Sequence, residues 1–381
     1  MTLAGAPTAG RRPTRLIVDR QIIGCNASAI IARLSPDTRL MAVVKANGYG
    51  HGAIESARAA ISGGASWLGV ATVSEACELR NAGLDVPILV LGSSDPLEAI
   101  VAATHRISLG VGDSVQLERL LGVLERHLPA GPLDIHLKID TGMRRFGISP
   151  EVAPNHAQRI SRHAATRLAG IYSHFAESDA ALVDPMNQQL EVFLRTLDRL
   201  DTLGIDRGIA HISNSAALLR NRSADLDMVR AGICLYGISP SEHVPLFDGM
   251  LPALEWRATV QHITEMRPGD RTGYGGTYVA SGHERTALLP VGYADGYPRH
   301  LSNRGWVGHM GDRLPIRGRV SMDQCAVGIP AGVCLEVGDE VTVLGSPETG
   351  APDANQIGAL IDTIGYEIVA RISRRVPVEY L

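Results

Sequence analysis

The sequence has 381 residues, of which 45% are hydrophobic and 20% charged, and its formal net charge at pH 7 is -4. A chain of this size and apolar content can bury a large core and is expected to form two domains. The slightly negative charge gives no electrostatic reason to expect nucleic acid or an anionic membrane as a partner. The five cysteines are scattered without a C-x-x-C pair, so we expect neither a disulfide framework nor a metal site.

The beginning of the sequence indicates no targeting segment. The apolar run that follows Arg11 and Arg12 extends only from Leu16 to Val18, which is too short for the apolar core of a signal peptide. Nowhere does the sequence approach the roughly 20 apolar residues of a membrane span. A cytoplasmic location is therefore predicted.

Apolar, β-branched runs recur through the first two thirds of the chain, and most of the intervals between them read as helices. Two intervals, AIESARAAISGG and SEACELRNAGL, have apolar residues at helical spacing and end near glycine. Eight buried strands that alternate with helices predict an α/β fold, a (β/α)8 TIM-type barrel over residues 17–247, with the active site at the carboxyl ends of the strands. The eight runs are LMAVVKAN, WLGVAT, PILVLG, ISLGVG, DIHLKID, LAGIYSHF, IAHISNSA and MVRAGICLYG.

The pattern changes after about Phe247. Strand-like segments are now separated by Gly, Pro and Asp turns, and no helical stretch occurs until ANQIGALIDTIGYEI. Residues 248–381 are therefore predicted to form a mostly β C-terminal domain. The early strand-like run TRLIVDR is expected to pair with this later sheet, so residues 1–16 are assigned to the same domain.

The run AVVKANGYGHG places Lys45 at the end of the first barrel strand. A lysine here can simply extend its ammonium group into solvent, or it can be an amine that forms a Schiff base, since partial burial lowers its pKa. Tyr49 could meet a phosphate group. The loops after the seventh and eighth strands offer the hydroxyl of Ser215 and the backbone N–H groups of Gly232 and Ile233, which suit an anion.

Nine segments, in order along nearly the whole chain, resemble the signature motifs of bacterial alanine racemase, a fold type III pyridoxal-phosphate enzyme. The resemblance implies an isomerase that uses pyridoxal 5'-phosphate to interconvert L-alanine and D-alanine, and that supplies D-alanine for cell-wall peptidoglycan. The segments are AVVKANGYGHG, LKIDTGMRRFG, YSHFAESD, ISNSAA, MVRAGICLYG, GYGGTY, LPVGYADGYPR, GRVSMDQ and DTIGYEI.

The resemblance implies that Lys45 binds the cofactor and acts as one base, while Tyr274 from the partner subunit is the second base, in a homodimer with shared active sites. Two bases suit racemisation because a proton leaves one face of the substrate and returns to the other. Arg230 would face the pyridine nitrogen of the cofactor and donate to it without losing its own proton. His174 would be a neighbour of the cofactor and of Arg230. Taken alone, Tyr274 could be a turn tyrosine, Arg230 an arginine bonded to strand-end carbonyls, and His174 a barrel histidine.

The resemblance also implies residues for substrate, phosphate and access. Arg145 would pair with the substrate carboxylate or the cofactor's ring oxygen, and Lys138, carbamylated in some relatives, would orient it. The family usually has a small residue where this chain has Arg144, so a surface salt bridge by one of the two arginines remains open. The phosphate would be held by Tyr49, Ser215, Gly232, Ile233 and Tyr366, although Tyr366 could equally be a core aromatic. The entrance from the partner subunit would be lined by Met322, Asp323 and Tyr293.

Three alternative functions remain open at this point. A broad-specificity or serine racemase would share the mechanism and have a roomier pocket. A basic amino-acid decarboxylase shares the domain plan, but it would need an acidic residue where Arg230 stands. A non-catalytic protein that binds pyridoxal phosphate through a similar lysine would lack the second domain and a counterpart of Tyr274.

Overall fold

The computed structural model describes residues 12–127, 129 and 131–381, which form two compact units. The first unit spans residues 21–251, and the second combines residues 12–20 with residues 252–381. The boundaries predicted at residues 17 and 247 lie a few residues from these divisions. The first strand of the chain, β1 (Thr14–Val18), belongs to the second unit.

The first unit contains, within the described residues, one sheet of eight parallel strands. These are β2 (Arg39–Val43), β3 (Trp67–Val70), β4 (Ile88–Val90), β5 (Ile107–Val111), β6 (Leu133–Lys138), β7 (Thr166–Tyr172), β8 (Ile209–His211) and β9 (Met228–Ala231). The strand order is β8-β7-β6-β5-β4-β3-β2-β9. Two further bonds link the ends of the sheet: the Asp227 N–H donates to the Ala210 carbonyl at 3.1 Å, and the Arg230 N–H to the Ser213 carbonyl at 3.2 Å. The sheet therefore nearly closes, which confirms the predicted barrel.

The barrel strands read as continuous apolar runs because both of their faces are covered. Every residue of β3, β4 and β5 is buried. The covering helices are α1 (Arg20–Ile31), α3 (Ala53–Ser62), α4 (Val73–Asn81), α5 (Ala99–Thr104), α6 (Ser114–Arg126), α7 (Ala153–Arg162), α8 (Asp184–Thr202) and α9 (Ser215–Arg220), whereas α2 (Lys45–Tyr49) is a short turn with a left-handed backbone. Short 3-10 helices occur at Pro96–Glu98, Arg222–Ala224 and Ile233–Tyr236.

The helix signals in the sequence have clear physical counterparts. In α6, Leu117, Leu120, Leu121 and Leu124 are buried, so one apolar stripe faces the barrel. The side chain of Asp113 accepts the Gln116 N–H and caps the start of this helix. The two helices predicted from apolar spacing are α3 and α4, and both end close to a glycine.

The second unit is mostly β, as predicted. Its strands after β1 are β10 (Leu254–Thr259), β11 (His262–Met266), β12 (Arg271–Thr272), β13 (Tyr278–Val279), β14 (Glu284–Leu289), β15 (Trp306–His309), β16 (Asp312–Arg317), β17 (Cys325–Ile329), β18 (Glu340–Leu344) and β19 (Val378–Tyr380). Nine strands of the described chain form a sheet in the order β11-β14-β17-β16-β15-β18-β10-β1-β19, and β12 pairs with β13. Strand β1 pairs antiparallel with β10 and parallel with β19. The helices are α10 (Ala354–Leu360) and α11 (Gly365–Ala370), with 3-10 turns at Tyr274–Gly276, Tyr293–Asp295, Arg299–Leu301 and Pro347–Thr349.

Among the helices of the described residues, none combines the length and the apolar character that a membrane crossing requires.

Candidate active site

Lys45 lies just beyond the carboxyl end of β2 and begins a turn with unusual backbone geometry. The four residues after it all have left-handed φ angles: 53° for Ala46, 55° for Asn47, 62° for Gly48 and 52° for Tyr49. A left-handed conformation costs an L-residue about 1–2 kcal/mol, so such a run persists only where its surroundings fix it. At Gly48 a Cβ atom would lie 2.9 Å from the Ser56 hydroxyl oxygen, so the turn also packs closely on α3.

The carboxylate of Glu75 binds the start of this turn. Its Oε1 atom accepts the Ala46 N–H at 2.7 Å. Its Oε2 atom accepts the N–H groups of Ala71 at 2.7 Å and Thr72 at 3.3 Å, just after β3. The sequence analysis missed Glu75. The T-x-x-E spacing from Thr72 is a capping-box signal for α4, but it does not reveal the bond to the turn after β2.

The environment of Lys45 favours its neutral form. The residue is half-buried. Burial lowers the pKa of the Lys45 ammonium, the positive charges of Arg145 and Arg230 lower it further, and the negative charge of Glu75 opposes them. A larger fraction of this amine is therefore neutral near neutral pH than in a free lysine, which is the form that attacks a carbonyl carbon.

Arg230 is a buried arginine on β9, the strand next to β2. Its Nη2 atom shares two N–H bonds among three acceptors, the carbonyls of Ser173 at 2.9 Å and Ile212 at 2.8 Å and Nδ1 of His174 at 3.1 Å. Its Nη1 atom donates to Nδ1 of His211 at 2.9 Å. Burial lowers the pKa of Arg230 to about 10, so the guanidinium keeps its proton at neutral pH.

The bonds from Arg230 fix the protonation of three histidines. Because arginine can only donate, Nδ1 of His211 is an acceptor and its proton lies on Nε2, which donates to Nδ1 of His136 at 3.0 Å. Nδ1 of His174 is likewise an acceptor. Burial and the charge of Arg230 hold the pKa values of His174 and His211 well below the usual range, and that of His136 at about 3. All three imidazoles are therefore neutral.

Sequence reasoning did not single out His211 and His136. They occur in quoted runs, IAHISNSA and DIHLKID, but nothing in the spacing of these runs links them to Arg230. The ring of Tyr172 stacks on His211, with centroids 5.0 Å apart and planes 5° apart. The Tyr172 hydroxyl donates to the Leu91 carbonyl at 2.9 Å, so this ring holds His211 in place.

Lys138 ends β6 as a buried amine among cations. In the described residues its ammonium has no hydrogen bond or ion pair, and the rings of Phe146 and Tyr172 lie 5.1 and 5.4 Å from it. Burial and the charges of Arg230, Arg145 and Lys45 lower the pKa of Lys138 to about 8. The predicted neighbour Arg145 thus acts electrostatically on both lysines, and its side chain is exposed.

The residues predicted to bind phosphate in the barrel come together from three segments. The Gly232 N–H donates to the Ser215 hydroxyl oxygen at 2.9 Å. A Cβ atom on Gly232 would lie 2.7 Å from the Tyr49 hydroxyl oxygen and 3.5 Å from that of Ser215. Two hydroxyl groups thus converge where no side chain fits, and Ile233 follows at the start of a 3-10 helix. Such a cradle suits an anion.

The remaining predicted residues belong to the second unit. Tyr274 is 70% exposed, in a 3-10 turn whose glycines Gly273, Gly275 and Gly276 all have positive φ. Tyr293 and Met322 are also exposed. The Tyr293 N–H donates to the Ser321 carbonyl at 3.0 Å, so these two side chains extend from adjoining segments. The other two are Asp323, which is exposed and pairs with Arg375, and Tyr366, which is half-buried in α11.

In the part of the chain that the structure describes, no group of three or more His, Cys, Asp or Glu residues is arranged to hold a metal ion.

The first unit is a TIM barrel that carries its reactive groups at the carboxyl ends of its strands, where enzymes of this fold have their active sites. Residues 18–240 match the family model "Alanine racemase, N-terminal domain", and residues 253–380 match "Alanine racemase, C-terminal domain". The chain therefore belongs to the alanine racemase family. This confirms the resemblance and the prediction of an isomerase that acts on amino acids.

Individual relatives agree with the family models. The chain is 41% identical over 371 residues to alanine racemase of Symbiobacterium thermophilum, covering 97% of this chain and 98% of that protein. It is 38% identical to alanine racemase 2 of Bacillus subtilis, and the match covers 93% of this chain and 91% of that protein. Among solved structures, alanine racemase of E. faecalis has a TM-score of 0.91 at 36% identity and covers 97% and 98%. That of Bacillus anthracis with bound L-Ala-P has a TM-score of 0.91 at 34% identity and covers 99% and 96%.

Proposed function

We propose that the chain binds pyridoxal 5'-phosphate, interconverts L-alanine and D-alanine in the cytoplasm, and supplies D-alanine for peptidoglycan. Family membership supports the reaction. The observation that carries the proposal is the pairing of two features on adjacent strands. The Lys45 amine, with its lowered pKa, follows β2, and the cradle around Gly232 follows β9.

The residues at the barrel mouth fit this cofactor. The phosphate would be held by the hydroxyl groups of Tyr49 and Ser215, with the backbone of Gly232 and Ile233, and by Tyr366 of the second unit. The convergence of these two hydroxyl groups beside Gly232, where a Cβ atom would displace the Tyr49 hydroxyl, supports the phosphate assignment. When bound, the cofactor supplies an electron-withdrawing ring that acidifies the α C–H bond of an attached amino acid.

Two bases would exchange the α-proton of the substrate. The neutral amine of Lys45 would take or return the proton at one face, and the phenol of Tyr274 of the partner subunit would serve the other face. The 70% exposure of Tyr274 leaves its hydroxyl available to a second chain, which supports a homodimer with shared sites. Losing either base is expected to cost roughly 10²–10⁴-fold in rate.

Arg230 would set the electronic state of the cofactor ring. Its guanidinium stays protonated, so it would donate to the ring nitrogen and leave that nitrogen without a proton of its own. His174 and His211 would hold the arginine, because each accepts one of its N–H groups. Arg230 would in this way favour return of the proton to the substrate over side reactions.

Arg145 would pair with the substrate carboxylate or the cofactor's ring oxygen, and Lys138 would orient it. With a pKa of about 8, part of Lys138 is neutral at neutral pH. That neutral amine can form an N–C bond to CO2 and release a proton, which leaves a carbamate anion. The anion would compensate the charges of Arg145 and Arg230 and orient Arg145. Met322, Tyr293 and Asp323 of the partner subunit would line the entrance and limit the size of the substrate.

The proposal is tested by cofactor trapping and by product analysis. The purified protein should be yellow, and borohydride should fix the cofactor to the peptide that contains Lys45. Lys138 is the only other lysine in the sequence, so it is an internal control. A panel of L-amino acids with chiral separation of products should give D-alanine as the fastest product. A colourless protein, label on Lys138, or faster turnover of a larger side chain would each contradict the proposal.

A further inference from the structure

The turn that carries Lys45 depends on an anchor outside itself. Bonds within the turn are local: the Gly48 N–H donates to the Val44 carbonyl at 2.8 Å and the Gly50 N–H to the Ala46 carbonyl at 3.2 Å. The N–H of Ala46, the residue directly after Lys45, instead donates to Glu75 at 2.7 Å. This bond attaches the start of the left-handed run to α4, while further along the run the Asn47 side chain accepts the Ala53 N–H of α3 at 3.2 Å.

Glu75 is well placed to be a rigid anchor. It lies in the first turn of α4, where its N–H donates to the Thr72 hydroxyl at 3.2 Å and completes a capping box. Its second oxygen atom is held by the N–H groups of Ala71 and Thr72. One carboxylate thus joins the chain after β2 to the chain after β3. Bonds from N–H groups to a charged carboxylate are among the stronger ones in proteins.

Glu75 is also the negative group among the charges that act on Lys45. Arg145 follows β6, Arg230 lies on β9, and both lower the pKa of the lysine. Lys138 and His174 face the same region, since Lys45 lowers the pKa of each. Removing the Glu75 charge would leave the amine surrounded by positive and neutral groups.

We propose that Glu75 is a positioning residue that fixes the left-handed turn and thereby the direction and charge state of the Lys45 amine. The inference deepens the proposed function, because it rests on Lys45 as the cofactor anchor. This role differs from that of a helix cap in the groups that it affects. A cap affects the stability of α4, whereas an anchor also affects the Ala46 amide and the Lys45 amine.

The experiment compares four variants of the full chain. Glu75→Gln removes the charge, Glu75→Asp keeps it on a side chain too short to bridge both loops, and Thr72→Ala removes the other half of the capping box. Glu78→Gln, an exposed carboxylate on the same helix, is the matched control. Circular dichroism establishes that each variant is folded, and the Glu75→Asp variant keeps the test valid if Glu75→Gln does not fold.

Two readouts are independent of catalysis. Hydrogen exchange measures the protection of the Ala46 amide. Acetic anhydride labelling of the cofactor-free chain across a pH series, followed by peptide mass spectrometry, measures the titration midpoint of Lys45 with Lys138 as reference. In Glu75→Gln, Ala46 should exchange on the order of tenfold faster, and the Lys45 midpoint should move to lower pH. Glu75→Asp should lose the protection of Ala46 but keep the Lys45 midpoint near that of the wild type.

Thr72→Ala and Glu78→Gln should leave both readouts unchanged, even where Thr72→Ala lowers the melting temperature. The proposal is overturned if Glu75→Gln behaves like Thr72→Ala, with wild-type Ala46 exchange and a wild-type Lys45 midpoint. Failure of the proposed function is seen separately, as absence of borohydride-fixed cofactor on Lys45 in the wild-type protein.

Discussion

The cradle at Gly232 gives a prediction whose magnitude follows from the structure. In Gly232→Ala the new methyl group would lie 2.7 Å from the Tyr49 hydroxyl oxygen, well inside van der Waals contact, while the Ser215 oxygen at 3.5 Å would tolerate it. Overpacking of this kind in a buried site costs about 1–3 kcal/mol of unfolding free energy. The methyl group would also displace the Tyr49 hydroxyl, which is assigned to the phosphate. We therefore expect the Kd for pyridoxal 5'-phosphate to rise by roughly 5- to 150-fold, the equivalent of that penalty.

The assay combines urea unfolding with fluorescence titration of the cofactor. Gly282→Ala is the matched control, because no atom lies within 4 Å of a Cβ built there. In a Tyr49→Phe background the nearest contact becomes the ring Cζ atom at 3.3 Å, so Gly232→Ala should cost less stability there than in the wild type. Equal stability losses in the two backgrounds, or unchanged cofactor affinity in Gly232→Ala, would refute the cradle.

Three further predictions concern other residues of the barrel unit. Arg144 is exposed with a φ of 55°, so Arg144→Gly should raise the unfolding free energy by about 0.5–1 kcal/mol in urea titrations, whereas a loss would contradict backbone strain. The pKa of Lys138 is about 8 in the folded chain and 10.5 in the unfolded chain, when the amine carries no carbamate. Between these two pH values the unfolded chain therefore binds more protons than the folded chain. Stability relative to Lys138→Met should therefore rise from pH 8 to 10.5, and a flat difference in CO2-free buffer would argue against the lowered pKa. His211→Phe leaves a buried N–H of Arg230 without its acceptor, so it should cost about 1–3 kcal/mol in the same titrations, and a neutral effect would contradict the bond.

The barrel could be predicted because its strands are buried on both faces. A run such as LMAVV in and beyond β2 is apolar throughout, and eight such runs between helices permit few other folds. The convergence of Tyr49, Ser215 and Gly232 was also predictable, since each lies in the segment that follows a barrel strand and the carboxyl ends of parallel strands share one edge.

The supporting residues could not be predicted in this way, because their roles depend on contacts between distant segments. Glu75 carries a local capping signal, but its bond to Ala46 exists only because β2 and β3 are neighbours. His136 and His211 meet across β7, from two runs that are 75 residues apart. The left-handed conformation of Ala46 is imposed by its surroundings, since alanine itself disfavours it.

Complementation between two inactive variants tests the shared two-base site most directly. Lys45→Ala and Tyr274→Phe are unfolded and refolded together in equal amounts, and the fraction of mixed dimers is measured by native mass spectrometry. With random pairing about half of the dimers are mixed, and each would have one site with both bases intact, so activity should return to roughly a quarter of the wild-type value. If both bases of a site came from one chain, every site in the mixture would still lack one of them. Mixed dimers without recovered racemase activity would therefore contradict the shared site.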